Sequence, residues 1–334
     1  MASTTVVIPF ALPPKELAAD IARALQAPAL ATLLSRNNLH ERRRFESDAR
    51  VLPHEAWLSP GRDSAPLAAA VMRGFGQAQA EGYWFIVHPV HVQLSRTHLT
   101  MADPRNLHLD DADARALFDT VKPYFNDLIY GDANTWFMRA DDWSALDTAS
   151  PDAAMGNNLV DWMPTGPNAL AFRKLQNEVQ MLWHEHPVNQ AREARRLPPV
   201  NSFWMWGGAG AASPSAAASP VLVAGAPAWM AALGTPELRN ADVARLLSTP
   251  GERRSAVLGH LLPAGLAGDW SPWLAEMQRL EQEWFTPLLA AVLDGRAGDL
   301  TLVLTDREGV TSFRTSKMAQ RQFWRMKNLK NLTS

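Results

Sequence analysis

The sequence contains no cysteine among its 334 residues. Disulfide bonds, thiolate metal sites and cysteine nucleophiles are therefore excluded, and a reducing cytosol is the compartment that suits such a chain. Long apolar runs are missing too: none approaches the about 18 uninterrupted apolar residues that a membrane-spanning helix requires. The first residues lack the basic leader of a signal peptide. We therefore expect a cytoplasmic protein.

Net charge of either sign is also nearly absent. The formal charge is −2 and the isoelectric point is near 6.5, which gives no global field to attract phosphate backbones or anionic lipid. We expect neither a nucleic acid nor a membrane as a partner. The glycine-rich dinucleotide loop, the Walker phosphate loop and the G-x-S-x-G nucleophile motif do not occur, and no repeat of about 20 to 50 residues indicates a solenoid.

The remaining composition is that of a folded globular protein, with 47% apolar and 20% charged residues. Runs rich in β-branched and aromatic residues predict strands that alternate with segments of helical periodicity. This alternation predicts an α/β fold in which a mainly parallel sheet is covered by helices on both faces. The predicted strands are the run after the N-terminus (TTVVI), 82–95, 200–206, 221–225 and 299–306, and the longest predicted helices are 110–131, divided at Pro123, and 271–294.

Turn-forming residues concentrate between Thr148 and Asn168, where periodicity is weak. We therefore expect an N-terminal α/β lobe over 1–150, a connection over 151–168 and a C-terminal α/β lobe over 169–334, packed as one globular unit. A smaller inserted or N-terminal lobe is the alternative.

Two histidine pairs are candidates for metal binding. His88 and His91 are three residues apart in a predicted strand, where their side chains point to opposite faces. His184 and His186 are two apart, and the helical pattern before them would splay the two rings. Neither pair has the spacing of zinc ligands. The favoured interpretation is structural or surface histidines, so we expect no metal and no cofactor.

The stretch from Met181 to Gly210, MLWHEHPVNQAREARRLPPVNSFWMWGGAG, holds two further candidates. Arg192, Arg195 and Arg196 could clamp an anion, although a solvated basic face is the favoured interpretation. The WGGAG turn follows a predicted strand and could direct its amides toward a phosphate, but a plain tight turn is the simpler alternative.

These residues carry a resemblance to known families. HPVHVQLSRTHLTMADP (88–104) and EVQMLWHEHPVNQAREARRLPPVNSFWMWGGAG (178–210) resemble the hallmarks of the RpfE-type regulatory proteins of proteobacteria. NSFWMWGGAG (201–210) and the helix 271–294 followed by LTLVLTD are similar to segments of the cofactor-independent phosphoglycerate mutases, which belong to the alkaline-phosphatase superfamily. The resemblance implies a three-layer α/β fold and a regulatory role.

The departures from the mutase pattern concern the metal ligands. The resemblance implies two divalent metals, held by aspartates and histidines, and a serine or threonine nucleophile for phosphoryl transfer. The first strand here, VVIPFALPP, offers no carboxylate, and Asp306 is followed by Arg307 where the pattern has an Asp-His pair. Loss of these ligands predicts loss of phosphoryl transfer.

The leading hypothesis is therefore a catalytically degenerate, phosphoglycerate-mutase-like regulatory protein that binds a protein partner or a small anionic ligand. We expect a ligand site near His184, His186, Asn189, Arg192, Asn201, Gly207, Gly208 and Gly210. One alternative is an active phosphomutase or phosphatase whose rearranged metal site uses His88, His91, His98 and Asp103. The other is a protein–protein interaction module that uses the unusually numerous tryptophans, 13 in all.

Overall fold

The computed structural model describes residues 3–46, 48–59, 65–77, 81–95, 97–210 and 221–332. Its strands are β1 Ser3–Ile8, β2 Leu39–Arg44, β3 Tyr83–Val90, β4 Val92–Leu94, β5 Leu99–Met101, β6 Asp127–Asp132, β7 Thr135–Arg139, β8 Ser202–Gly210, β9 Val221–Ala224, β10 Arg253–Leu258, β11 Asp299–Thr305 and β12 Gly309–Thr315.

The α-helices, in chain order, are α1 Lys15–Ala24, α2 Pro28–Ser35, α3 Pro53–Leu58, α4 Ala68–Gly74, α5 Asp111–Val121, α6 Pro151–Ala154, α7 Leu159–Trp162, α8 Ala169–His184, α9 Pro187–Ala194, α10 Ala228–Ala231, α11 Val243–Ser248, α12 Leu262–Ala267, α13 Trp270–Leu280, α14 Thr286–Asp294 and α15 Lys317–Gln320. One turn of π-helix, Glu281–Phe285, joins α13 to α14, so the predicted helix 271–294 is present with a local widening. No helix within the described ranges is both long and apolar enough to cross a membrane.

The chain divides into two compact units, one formed by Met1–Ser47 with Ala217–Ser334 and the other by Asp48–Ala216. The second unit is therefore an insertion between two segments of the first, which is one of the arrangements that the sequence left open. These units do not coincide with the expected lobes 1–150 and 169–334, and the expected connection 151–168 lies inside the second unit, where it contains α6 and α7.

The first unit contains a six-stranded sheet in the order β2-β12-β11-β1-β10-β9. β9, β10, β1 and β11 are parallel, whereas β12 and β2 add to β11 in antiparallel fashion. β1 lies inside the sheet, between β11 and β10. Its β-branched residues Val6, Val7 and Ile8 are fully buried, as expected of a strand covered on both faces. The predicted α/β class is confirmed: a large central sheet is flanked by helices.

The second unit has an antiparallel sheet in the order β6-β7-β3-β8. Successive residues of β8 point to opposite faces: Phe203 and Met205 join the large apolar cluster that includes Phe172 and Trp183 of α8. The indoles of Trp204 and Trp206 instead donate to Ala149 and His88. The two faces of β8 therefore have different partners.

Two predictions about element boundaries are wrong. The helix expected over 110–131 ends at Val121, and Leu128 lies on strand β6, because Pro123 interrupts the helical hydrogen bonding. The strand predicted over 82–95 is divided: β3 ends at Val90, one residue after Pro89, and β4 covers Val92–Leu94. On one side of β3 the pairing with β7 stops at Val87, so the missing amide of Pro89 faces no partner there.

Candidate functional site

The carboxyl ends of the parallel strands are where open α/β sheets bind their ligands. In this sheet the chain that leaves β1 is apolar, and Pro9 to Pro13 are all buried. The Phe10 backbone has a φ of 56°, a conformation that costs energy for a residue with a side chain. The segment is held in place by the Trp273 indole, which donates to the Phe10 carbonyl oxygen at 2.7 Å.

Thr305, the last residue of β11, fixes the same segment from the neighbouring strand. Its hydroxyl accepts from the Phe10 amide at 3.2 Å, and its carbonyl oxygen accepts from the Leu12 amide at 3.1 Å. A Cβ added to Gly265 of α12 would lie 2.5 Å from Phe10 Cβ, so the aromatic residue is in close contact with that helix. The segment after β1 is therefore apolar and tightly packed, and it offers no carboxylate that could bind a metal ion there.

Asp306 follows β11 and lies in the hairpin turn to β12. Its Oδ1 accepts from the Glu308 amide at 2.8 Å, and its Oδ2 lies 3.3 Å from the Arg42 guanidinium. The carboxylate is therefore used by the turn and by an ion pair. His260, which follows β10, has its ring directly over Gly225, where any added Cβ would be 2.2 Å from the imidazole.

The residues present at this edge do not fit a pair of divalent metals. Among the described residues, none of Asp306, Glu308 and His260 belongs to a group of three metal-ligating side chains with their ligand atoms close together. The positive charge of Arg42 beside Asp306 opposes a cation there as well.

The sequence-predicted residues of the second unit serve as structural connections. Asn189 is buried; its amide nitrogen donates to the carbonyl oxygens of Trp183 and Val200, and its Oδ1 accepts from the Val200 amide, each at 2.8 Å. Asn201 pairs with the backbone of Val92 in the same two-way manner, at 2.7 and 2.8 Å. Each side-chain amide donates to and accepts from the backbone of one residue, as a paired strand would, and so satisfies backbone groups that would otherwise lack partners.

Arg192 is fully buried, and its guanidinium is surrounded by backbone carbonyl groups. Nε donates to Pro198 at 3.0 Å, Nη1 to His108 at 3.5 Å and Nη2 to Leu107 at 2.5 Å. Burial lowers the pKa of this guanidinium. One side chain thus joins two loops, one at Leu107 and His108 and one at Pro198, so its hydrogen-bonding capacity is directed to the fold.

The two histidines before Arg192 occupy different positions. His184 is exposed at the end of α8. His186 is the N-cap of α9: its Nδ1 accepts from the Val188 amide at 3.2 Å, and its Nε2 lies 3.1 Å from the Thr120 hydroxyl. Burial lowers the pKa of His186, which favours the neutral ring that an N-cap acceptor requires.

The glycines of the predicted turn lie within strand β8. Gly207 has a φ of 66°, and a Cβ on Gly208 would be 2.5 Å from the Phe85 ring and 2.7 Å from the Tyr83 ring. Close aromatic packing explains both positions. Since a strand rises about 3.3 Å per residue, Gly207 to Gly210 lie roughly 20 to 30 Å from Asn201. The structure therefore groups His186, Asn189 and Arg192 on one short helix but does not bring the glycines to them.

The alternative metal site is not assembled either. His88 is buried, with Nδ1 donating to the Asn134 carbonyl oxygen at 2.6 Å and Nε2 accepting from the Trp206 indole at 2.9 Å. His91 contacts the Pro199 carbonyl oxygen and His98 contacts Thr97. With Asp103 these histidines form no ligand group in the part of the chain that the structure describes.

A group that the sequence analysis missed lies in the second unit. His54 and Glu55 stand in the first turn of α3, and Asp152 stands in the first turn of α6. All three are buried, and one ligand atom of each lies within 4.8 Å of the other two. Arg105 pairs with Asp152 at 3.0 Å and with Asp103 at 2.8 Å, so the group includes one fixed positive charge.

Electrostatics in this group disfavour charge on two of its members. Burial raises the pKa of Glu55 to about 8, and the nearby Asp152 carboxylate contributes in the same direction. Burial also lowers the pKa of His54 to about 4, against the opposing effect of Asp152. At neutral pH the imidazole is therefore neutral, and Glu55 holds a proton that a cation could replace. Chemically, this is the best candidate for an ion site among the described residues.

Comparisons with known proteins support the fold. No family model matches the chain. It is 35% identical over 57 residues to a 2,3-bisphosphoglycerate-independent phosphoglycerate mutase of Methanothrix thermoacetophila. This matched stretch covers 17% of this chain and 14% of that relative. It is 24% identical over 152 residues to a probable enzyme of the same name from Geobacter sulfurreducens, which is 43% of this chain and 37% of the relative. The matched stretches thus span well under half of each curated relative.

Solved structures match over nearly the whole length. The cofactor-independent phosphoglycerate mutase of Thermoplasma acidophilum superposes with a TM-score of 0.50 at 13% identity, covering 100% of this chain and 95% of that one. A protein from Pyrococcus horikoshii gives a TM-score of 0.54 at 12% identity, with 99% and 92% covered. The relatives in sequence are thus phosphoglycerate mutases, and the chain shares the fold of these solved structures, of which one is a mutase.

Proposed function

We propose that this chain is a catalytically degenerate phosphoglycerate-mutase-like protein of the RpfE regulatory type, which acts by binding another protein. One observation carries the first part: the chain that leaves β1 is the buried segment Pro9 to Pro13, fixed by Thr305 and Trp273. A metal-assisted phosphoryl transfer needs cations beside the transferring group. The residues at this edge of the sheet provide no carboxylate after β1 and use Asp306 in an ion pair.

A direct assay tests this part. The purified protein is incubated with 3-phosphoglycerate, and separately with a generic aryl phosphate, in the presence of manganese, magnesium or zinc. The mutase of Thermoplasma acidophilum serves as the positive control. We expect turnover no higher than in protein-free samples. Metal-dependent turnover that increases in proportion to the concentration of this protein would show that the chain is an active phosphomutase or phosphatase.

The second part rests on an exposed surface in the first unit, which we call the C-terminal aromatic surface. It consists of Met318, Phe323, Trp324 and Met326, whose exposed fractions are 68%, 79%, 67% and 83%. The Phe323 and Trp324 rings pack edge to face with their centroids 5.3 Å apart. Large apolar side chains that are exposed next to each other often mark an interaction site.

The charge around this surface specifies the kind of partner. From Gly309 to Ser334 the chain carries six basic residues and no acidic one. Among them Arg325 is anchored at its base, where Nη1 donates to the Asn37 carbonyl oxygen at 2.6 Å. An apolar patch in a basic segment of the chain complements a partner with apolar side chains and an acidic rim. We therefore favour a protein partner with an acidic surface over a small anionic ligand at the Arg192 region.

Site-specific photocrosslinking tests the surface in cells. A photoreactive phenylalanine analogue is placed at position 323, and at the exposed position Leu170 as the control. We expect a discrete protein adduct at 323 only, which disappears in a Trp324→Ala background and whose purified complex weakens as salt increases. If adducts form equally at both positions, or if Trp324→Ala leaves them unchanged, the surface is not the partner site.

A further inference from the structure

We propose that His54, Glu55 and Asp152 form a binding site for one divalent metal ion within the second unit. All three side chains are buried, and one ligand atom of each lies within 4.8 Å of the other two. Two ligands at about 2.1 Å from a shared ion lie at most about 4.2 Å apart. Small rotations of the three side chains therefore bring their ligand atoms onto one ion.

The charges around the site favour a cation. A metal ion would displace the Glu55 proton, and the carboxylates of Glu55, Asp152 and Asp103 together with the Arg105 guanidinium would then carry a net charge of −2. Net charge in a buried location is costly unless it is compensated. One divalent ion compensates it fully, whereas Arg105 alone does not.

The ligands are also oriented by their neighbours. Glu55 Oε2 accepts from the Leu52 amide at 2.7 Å, which fixes the carboxyl group at the start of α3. The other oxygen, Oε1, is buried and accepts no hydrogen bond of ordinary geometry from the described residues, although the Ser150 hydroxyl is near enough to affect the pKa of Glu55. Arg105 Nη1 lies 3.0 and 3.1 Å from the two carboxylate oxygens of Asp152. Such outer contacts position ligands in metal sites.

The donor set indicates the class of metal. One imidazole and two carboxylates suit zinc, manganese or ferrous iron, while calcium and magnesium prefer ligands that are all oxygen. The backbone already joins the two ligand segments, because the Ser150 amide donates to the Arg50 carbonyl oxygen at 2.8 Å. An ion would connect α3 and α6 a second time, so its main effect would be on the stability of this unit.

Metal content and stability of the full-length protein provide the first test. The protein is purified without chelators, analysed for zinc, manganese and iron, stripped with EDTA and titrated with zinc chloride. We expect one equivalent of ion per chain, a Tm that falls by several degrees on stripping, and recovery when zinc is added back. Metal content far below one equivalent, together with a Tm that neither EDTA nor zinc changes, would overturn the proposal.

Paired variants locate the site. We expect Asp152→Asn and His54→Gln to weaken zinc binding at least about tenfold, while Asp142→Asn and His184→Gln, both at exposed positions, leave it unchanged. A folded Asp152→Asn protein that keeps the wild-type affinity contradicts the assignment. If the buried variants do not fold, anomalous scattering from zinc-soaked crystals of the wild-type protein decides the question: a peak among the three side chains supports the site, and its absence there overturns it.

Discussion

Trp206 donates its indole N–H to His88 Nε2 at 2.9 Å, and the opposite nitrogen of the same ring donates to the Asn134 carbonyl oxygen. These two bonds require the neutral tautomer with its proton on Nδ1. Burial lowers the pKa of His88, which keeps the ring in that form. The histidine that began as a metal candidate therefore connects β8 to the β6–β7 turn.

We predict that Trp206→Phe destabilises the protein by about 2 to 4 kcal/mol, because it leaves a buried imidazole nitrogen without a donor and removes packed volume. The free energy of unfolding in urea measures this. Trp324→Phe, at an exposed position, is the matched control and should change stability by less than about 0.5 kcal/mol. Equal effects of the two substitutions would show that the His88 bond contributes nothing.

The elements that local sequence determines were predictable. β1 and β11 are short runs of Val, Ile, Leu and Thr, and the helix predicted over 271–294 has clear apolar periodicity, so the existence of these elements followed from the local pattern alone. The strand β6 was assigned to a helix because Leu117, Val121 and Leu128 keep a helical spacing across Pro123. Pro123 ends the helix locally, and the pairing of β6 with β7 makes the residues that follow it a strand.

Long-range organisation could not be predicted in the same way. β1 pairs with β10 and β11, near the other end of the chain, and periodicity carries no information about such pairing. The His54–Glu55–Asp152 group was missed for the same reason: Asp152 lies in a turn-rich stretch far from the other two residues. The capping pattern at Leu52 to Glu55 was the one local signal, and it predicts a helix start rather than an ion site.

Gly208 and Gly210 of strand β8 differ in the space that is available for a side chain. A Cβ at 208 would be 2.5 Å from the Phe85 ring, whereas at 210 the nearest atom, on Tyr83, is 3.9 Å away. We predict that Gly208→Ala costs about 1 to 3 kcal/mol of stability through overpacking, while Gly210→Ala changes it by less than about 1 kcal/mol. Thermal and urea unfolding of both variants measure the difference. If both are neutral, close aromatic packing is not the reason for glycine at 208.

Arg192 provides a test of the structural interpretation of the Met181–Gly210 stretch. Lysine in its place keeps the charge but cannot reach the three carbonyl groups of Leu107, His108 and Pro198 together. We predict that Arg192→Lys lowers the free energy of unfolding by about 2 to 4 kcal/mol. Arg196→Lys, at an exposed position, should be nearly neutral. A stable Arg192→Lys protein that has instead lost a bound anion would restore the ligand-site hypothesis.

Glu55 makes the stability of the metal-free protein depend on pH. Its folded-state pKa of about 8 lies above the ordinary value of 4.5, so the protonated form is favoured by folding. The stabilisation is complete below pH 4.5 and is lost as the pH rises toward 8. His54 acts in the opposite direction: its pKa of about 4 lies below 6.5, so its contribution is lost as the pH falls from 6.5 to 4.

Between pH 4.5 and 6.5 the two effects largely cancel, and above pH 6.5 the Glu55 effect remains alone. We predict that the free energy of unfolding in EDTA falls by roughly 2 kcal/mol from pH 6.5 to 8. The groups that face Glu55 are Asp152, Arg105 and the Ser150 hydroxyl. The Arg105 guanidinium stays protonated between pH 6.5 and 8, so it adds no pH dependence there. Glu55→Gln, which is always neutral, should abolish the fall. A variant that keeps the wild-type slope would assign the pH dependence to another group.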